Sequence, residues 1–152
     1  APVAIVPNGN QFNYYAGATI ATPVTGLRSG MAFDYMNVYS SSGETYAIGG
    51  YASMQATEKL SFHLRGEYLK DSTPVLFGLN YDPATDTFST DSAKILALTA
   101  TVQYDLWKNV ISRLEVRWDH SLTGADTFGG TTYGEPDGDN AWMLAANIIY
   151  KF

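Results

Sequence analysis

The chain has 152 residues, a length that suits a single domain. Its net charge is −6, and an acidic balance disfavours nucleic acid as a partner because nucleic acid requires a basic surface. Cysteine is absent, which excludes disulfides and thiolate metal sites. Charged residues make up only 16%, below the roughly 25% of soluble domains. No stretch approaches the ~20 apolar residues of a membrane-spanning helix.

The chain in order predicts an all-β fold. Residues 1–10 are expected to form a loop, or at most a short strand, before the Asn8-Gly9 turn. Apolar and polar residues then alternate with period two in seven segments, which is typical of β-strands. The predicted strands are 11–22, 27–40, 45–56, 60–71, 93–106, 111–121 and 141–152. The chain is treated as one domain, either a complete antiparallel barrel or a segment of one.

The segment 111–121 carries the most informative pattern. One face holds Leu114, Val116 and Trp118, whereas the other holds charged residues of alternating sign. A membrane barrel has this arrangement because its outside meets lipid and its inside is polar. Together with the other strands, the pattern predicts an antiparallel transmembrane β-barrel.

The charged or ionisable residues of the polar faces are candidate pore-lining residues. In a wide barrel they would line a water-filled channel and set its field. Alternatively, they would pair across strands and stiffen the wall, and in an eight-stranded barrel they would fill the interior. The candidates are Arg28, Asp34, His63, Arg65, Glu67, Asp105, Arg113, Glu115, Arg117 and Asp119.

Connection lengths predict the orientation and raise a question about closure. Short turns alternate with longer connections, and membrane barrels place short turns in the periplasm and longer loops outside the cell. Seven strands are an odd number, whereas bacterial single-chain barrels have even counts. Either residues 3–7 form a shortened eighth strand, or the chain is the C-terminal part of a larger barrel. The latter is favoured, with a second polypeptide or a homo-oligomer as ways to complete the wall. The missing leader pattern suggests a mature or trimmed chain.

The last strand alternates aromatic and apolar residues up to Phe152. With Ile148 and Tyr150, this ending looks like the signal that outer-membrane barrels present to the barrel assembly machinery. Residues Arg113 to Ser121, with Leu64-Arg65-Gly66-Glu67-Tyr68 as a related element, resemble the OmpL-like β-barrel porins over about residues 60–152. The resemblance implies a porin-type role and the outer membrane of a Gram-negative bacterium, and it implies no substrate. We expect passive diffusion of small hydrophilic solutes or ions without a cofactor, and contact with outer-membrane lipid and lipopolysaccharide.

Three alternatives to a pore remain open. A small closed barrel would act as a structural anchor, or in adhesion and envelope interactions, through loops 72–92 and 124–140. A soluble lipocalin-type barrel would have an apolar inside. A lipid hydrolase would use His120 with Asp119 and Ser121, but adjacent strand residues point to opposite faces, so no enzyme is expected.

A calcium site in the second long loop was also considered. Glu135, Asp137, Asp139 and Asn140 supply oxygen atoms, the ligands that calcium prefers. Their spacing lacks the pattern of a calcium-binding loop that ends in a bidentate glutamate. A solvated loop is therefore favoured, and no metal is expected.

Overall fold

The computed structural model describes residues 11–38, 43–72, 81–82, 87–88, 92–123, 128 and 138–152. Seven strands form one antiparallel sheet in the order β1-β2-β3-β4-β7-β8-β9, and β5 and β6 form a separate short hairpin. The strands are β1 Gln11–Ala21, β2 Leu27–Val38, β3 Gly43–Gln55, β4 Leu60–Asp71, β5 Tyr81–Asp82, β6 Thr87–Phe88, β7 Ala93–Trp107, β8 Val110–Ser121 and β9 Asn140–Tyr150. The described residues contain no helix long and apolar enough to cross a membrane.

The prediction of an all-β fold with seven long strands is confirmed, with small shifts at strand ends. The largest shifts are of two residues, and one of them is in β9, which ends at Tyr150 rather than Phe152. Its partner β8 begins at Val110, which pairs with Tyr150. Beyond that pair, the Lys151 backbone amide donates to the Asn109 carbonyl at 2.8 Å, but Asn109 belongs to the turn 108–109, so no further strand residue pairs with β9. The eighth strand considered for residues 3–7 lies outside the described residues.

The strand register divides the sheet into two chemically different faces, because directly paired residues project to the same side. The apolar face includes the cross-strand row Ala52, Leu64, Ala100, Val116 and Leu144. The polar face includes the adjacent row Tyr51, Arg65, Thr99, Arg117 and Met143. Apart from a register shift between Asp105 and Trp107 at the end of β7, the strands stay in phase with their neighbours, so both faces are continuous.

Burial is inverted relative to a soluble sheet. The buried residues, both apolar ones such as Ala97 and polar ones such as Asp71, project from the polar face. All but three of the exposed large apolar side chains in the seven strands project from the apolar face. Leu144 and Ile148 there are 71% and 74% exposed. Since soluble monomers rarely expose apolar patches of more than a few hundred Å², this face is built for apolar surroundings.

Aromatic residues border the apolar face at both ends of the strands. One band crosses β1 to β4 through ring contacts of 6.2–6.5 Å between centroids, and it consists of Phe12, Tyr14, Phe33, Tyr35, Tyr46 and Tyr68. Trp118 and Trp142 continue it on β8 and β9, with centroids 6.0 Å apart. The opposite band contains Tyr104, Trp107 and Tyr150. Along β9, Trp142 and Tyr150 are about 26 Å apart at ~3.3 Å per residue. With the ~35–45° tilt of barrel strands, this distance spans roughly 20 Å of height, most of the ~25 Å apolar band of a membrane barrel.

The connections at one end of the strands are all short, whereas two of the three at the other end are long, so the predicted alternation of lengths holds from 56–59 onwards but not for 22–26 and 39–42. At one end, called the short-turn end, residues 22–26, 56–59 and 108–109 join the strands. At the other, called the long-loop end, the connections span 39–42, 72–92 and 122–139, and the second of them contains the β5-β6 hairpin. The sheet's edge strands, β1 and β9, are separated by an even number of antiparallel steps and therefore run in the same direction.

Candidate pore-lining face

The ten ionisable residues predicted to line a pore all lie on the polar face. The register places them in successive rows across β2, β4, β7 and β8. This placement follows from the period of two in each strand, together with turns that keep neighbouring strands in phase. The structure thus brings the candidates together on one surface, and their role in lining a pore stays a prediction.

Two ion pairs lie at the centre of this face, and each joins an arginine to a carboxylate two residues further along the same strand. On β4, the Arg65 and Glu67 side chains form an ion pair of 2.5 Å between Nη2 and Oε1. On β8, Arg117 contacts Asp119, with 2.9 Å between Nη2 and Oδ1 and 2.9 Å between Nε and Oδ2. In each pair the two residues are two positions apart on one strand, so both ions project to the same side of the sheet.

The two ion pairs lie side by side across β7. Arg65 and Arg117 share a row with Thr99 between them, and Glu67 and Asp119 share the next row towards the long-loop end. Strands β4 and β8 are about 10 Å apart, because each strand spacing is roughly 4.8 Å. The face therefore carries a row of two arginines beside a row of two carboxylates, and the separation of charge runs along the strands.

The arginines present their charge to solvent more than the carboxylates do. The Arg65 side chain is 59% exposed and that of Glu67 is 23% exposed. On β8, the corresponding values are 36% for Arg117 and 18% for Asp119. From the solvent side of this face, the guanidinium groups are therefore more accessible than the carboxylates.

In the rows on the short-turn side of the arginines, two charged side chains form hydrogen bonds with neutral partners. The Thr101 hydroxyl donates to Glu115 at 2.9 Å, and the Arg113 Nε donates to the Gln103 side-chain oxygen at 2.8 Å. A recess of about 310 Å³ opens over this part of the face and is lined by both central arginines, His63 and Glu115, among others. Polar side chains that are fixed in this way can stay hydrated without collapsing onto one another.

Sequence reasoning missed an aromatic contact on the same face. The Tyr51 ring covers Gly30 in β2, and its hydroxyl lies 2.9 Å from the Thr19 hydroxyl in β1. This tyrosine spans two strands over a position without a side chain. A Tyr and a Gly on different strands can be matched only when the strand register is known, so the sequence alone could not have revealed the contact.

The arrangement considered for a hydrolase does not form. His120 projects from the apolar face, where its ring stacks on Trp118 with centroids 5.3 Å apart and its Nδ1 lies 3.0 Å from the Asn140 side-chain oxygen. Ser121 projects from the polar face and is 3% exposed. The expected divergence of these two side chains is confirmed, so the hydroxyl and the imidazole cannot act on each other.

The structure describes only two of the four residues considered for a calcium site. Glu135 and Asp137 lie outside the described residues, whereas Asp139 and Asn140 lie at the start of β9. Within the described ranges, no group of three or more His, Cys, Asp or Glu residues is arranged to hold a metal ion.

The residues of the predicted assembly signal lie at the short-turn end of β9. Ile148 and Tyr150 project from the apolar face, and Phe152 follows the strand fully exposed. This placement gives an exposed apolar segment along the edge strand. Its recognition by assembly machinery stays a prediction.

An antiparallel sheet with one apolar and one charged face, bordered by aromatic bands at both ends, is typical of the porin-type β-barrel class. The chain belongs to the family described as "Putative beta-barrel porin-2, OmpL-like", whose model matches residues 8–152. The match extends the resemblance from about residues 60–152 to nearly the whole chain. Neither the curated proteins nor the solved structures contain a match to this chain.

Proposed function

We propose that the polar face lines a water-filled pore in the bacterial outer membrane, through which small hydrophilic solutes or ions diffuse passively. The observation that carries the proposal is the inverted polarity of the sheet: every arginine of the seven strands projects from the polar face, and large apolar side chains cover the other. In lipid, the apolar face is satisfied by acyl chains and the charged face requires water or protein.

A pore further requires that other strands complete the wall. An open sheet edge in lipid leaves backbone groups unsatisfied. Because β1 and β9 run in the same direction, an all-antiparallel closure needs an odd number of additional strands between them. One strand would give eight, an interior that side chains fill. The proposal therefore requires at least three, and barrels of about 16–18 strands leave an aqueous channel.

The charges predict how such a pore would discriminate between ions. The two exposed arginines form one row, and their partner carboxylates are less exposed. In water, a unit charge acts on an ion ~7 Å away with about 0.6 kcal/mol. The central row therefore favours anions locally, against a protein whose net charge is −6.

The proposal predicts ion channels in planar bilayers whose selectivity depends on these arginines. Substituting Arg65→Gln together with Arg117→Gln should raise the cation-to-anion permeability ratio by about three- to tenfold at low salt, because the row loses two exposed positive charges. Reversal potentials in a salt gradient measure this ratio. Glu67→Gln with Asp119→Asn should shift it in the opposite direction.

A matched control removes the same charge elsewhere. Lys59 and Lys108 lie in exposed turns at the short-turn end, so Lys59→Gln with Lys108→Gln should change the ratio much less. The pore proposal fails if the inserted protein conducts no ions above background, a result that would favour a closed structural anchor. The assignment of the arginine row fails if the Arg65/Arg117 variant and the Lys59/Lys108 variant raise the permeability ratio equally.

A further inference from the structure

Three charged residues of the seven strands are exceptions to the inverted polarity of the sheet. One is Glu44, which accepts a hydrogen bond from the Tyr35 hydroxyl at 3.4 Å, and the other two are lysines. Of the lysines and arginines in the seven strands, only Lys70 in β4 and Lys94 in β7 project from the apolar face. They are direct cross-strand partners. Like charges that face each other directly across two strands repel and destabilise the pairing, so this site requires an explanation.

The protein partly compensates for one of these charges. The Lys70 Nζ lies 5.8 Å from the centroid of the Tyr46 ring, a cation–π contact. Within the described ranges, neither Lys70 nor Lys94 forms an ion pair with a carboxylate. Two neighbouring ammonium groups with no carboxylate between them form a site that fits an anion.

The position of the pair along the strands matches the edge of the apolar band. On the apolar face, the Lys70–Lys94 pair is the next pair after Tyr68–Leu96 towards the long-loop end. Their row continues the tyrosines Tyr14, Tyr35 and Tyr46 across β1 to β3. Aromatic bands sit at the level of lipid headgroups, so the two ammonium groups lie where lipid phosphates lie.

An apolar groove begins below the lysines on the same face. Gly66 and Leu98 form the second pair below Lys70 and Lys94, about 13 Å along the strands. Around this pair, a groove of about 560 Å³ has an almost entirely apolar lining that includes Leu64, Leu98, Trp118 and Trp142. Gly50 and Gly66, which are direct partners, leave its floor without side chains.

We propose that Lys70 and Lys94 bind the phosphate of an anionic lipid headgroup, and that one acyl chain of that lipid lies in the groove beneath. The inference rests on the proposed membrane placement and adds a specific lipid site to it. The groove distinguishes this site from one for a free anion, because inorganic phosphate would use the lysines and leave the apolar floor uncovered.

The test measures binding of phosphatidylglycerol to the intact protein in detergent by native mass spectrometry, with phosphatidylcholine of the same acyl chains for comparison. Each basic residue near an anionic lipid surface contributes about a fivefold gain in affinity. Lys70→Gln with Lys94→Gln should therefore weaken phosphatidylglycerol binding by about 25-fold and leave phosphatidylcholine binding nearly unchanged. The control, Lys59→Gln with Lys108→Gln, should bind both lipids as the parent protein does.

The groove and the source of the phosphate are tested separately. Gly66→Leu places a side chain in the groove and should weaken both lipids alike. Inorganic phosphate at equal concentration should not displace phosphatidylglycerol. The inference is overturned if the Lys70/Lys94 variant keeps its preference for phosphatidylglycerol, or if inorganic phosphate displaces the lipid.

Failure of this inference is distinguishable from failure of the pore. Because both lysines project away from the polar face, the Lys70/Lys94 variant should keep the parent conductance. Intact conductance with an unchanged lipid preference contradicts the lipid site alone, whereas absence of conductance in the parent protein contradicts the proposed function.

Discussion

Ala100→Arg is expected to lower the free energy of unfolding by about 2–4 kcal/mol in lipid vesicles. Ala100 projects from the apolar face of β7 between Leu64 and Val116, between the two aromatic bands. A guanidinium at this depth must enter hydrocarbon or pull water and headgroups towards itself. Urea unfolding of vesicle-inserted protein measures the difference.

Thr101→Arg is the matched control, because it adds the same side chain one residue further along β7. Thr101 projects from the polar face and already donates to Glu115. An arginine there gains a carboxylate partner in hydrated surroundings, so stability should change by less than about 1 kcal/mol. Equal losses in the two variants would contradict the assignment of the faces.

Gly30→Ala is expected to destabilise the folded sheet by about 1–3 kcal/mol. A Cβ at this position would lie 2.6 Å from the Ala18 carbonyl oxygen, a backbone atom that cannot move without disturbing the β1-β2 ladder. The same Cβ would collide with the Tyr51 ring and separate its hydroxyl from Thr19. Urea unfolding in vesicles is again the measurement.

Gly50→Ala provides the comparison for an uncrowded glycine. The nearest atom to a Cβ there is the Gly30 carbonyl oxygen at 4.0 Å, and replacing a strand glycine lowers the entropy lost on folding. Stability should be unchanged or rise by up to about 1 kcal/mol. If both variants lose the same stability, the effect comes from glycine content rather than from the contact with Tyr51.

The sequence alone was sufficient to predict the strands and the direction of their side chains. In the segment around Leu114, Glu115 and Val116, period two assigns each residue to a face without knowledge of its neighbours, because successive strand residues point to opposite sides. The short connections also predicted which ends of the strands lie together at the short-turn end of the sheet. Both are local properties of the chain.

Relations between strands could not be predicted in this way. The opposition of Lys70 and Lys94, and the contact of Tyr51 with Gly30, depend on register across hydrogen-bonded neighbours. Register follows from turn geometry and from irregularities such as the shift between Asp105 and Trp107 in the β7-β8 pairing, which hydropathy does not encode. The end of β9 at Tyr150 likewise depends on where its partner begins.

In the proposed barrel, successive residues of β8 face water and lipid in alternation. The native chain has no cysteine, so single cysteines can be introduced from position 113 to 119 and tested with a membrane-impermeant thiol reagent on protein in vesicles. We expect fast labelling at Arg113, Glu115, Arg117 and Asp119, and protection at Leu114, Val116 and Trp118. Labelling that does not alternate, or that is fast only at the three apolar positions, would contradict this arrangement.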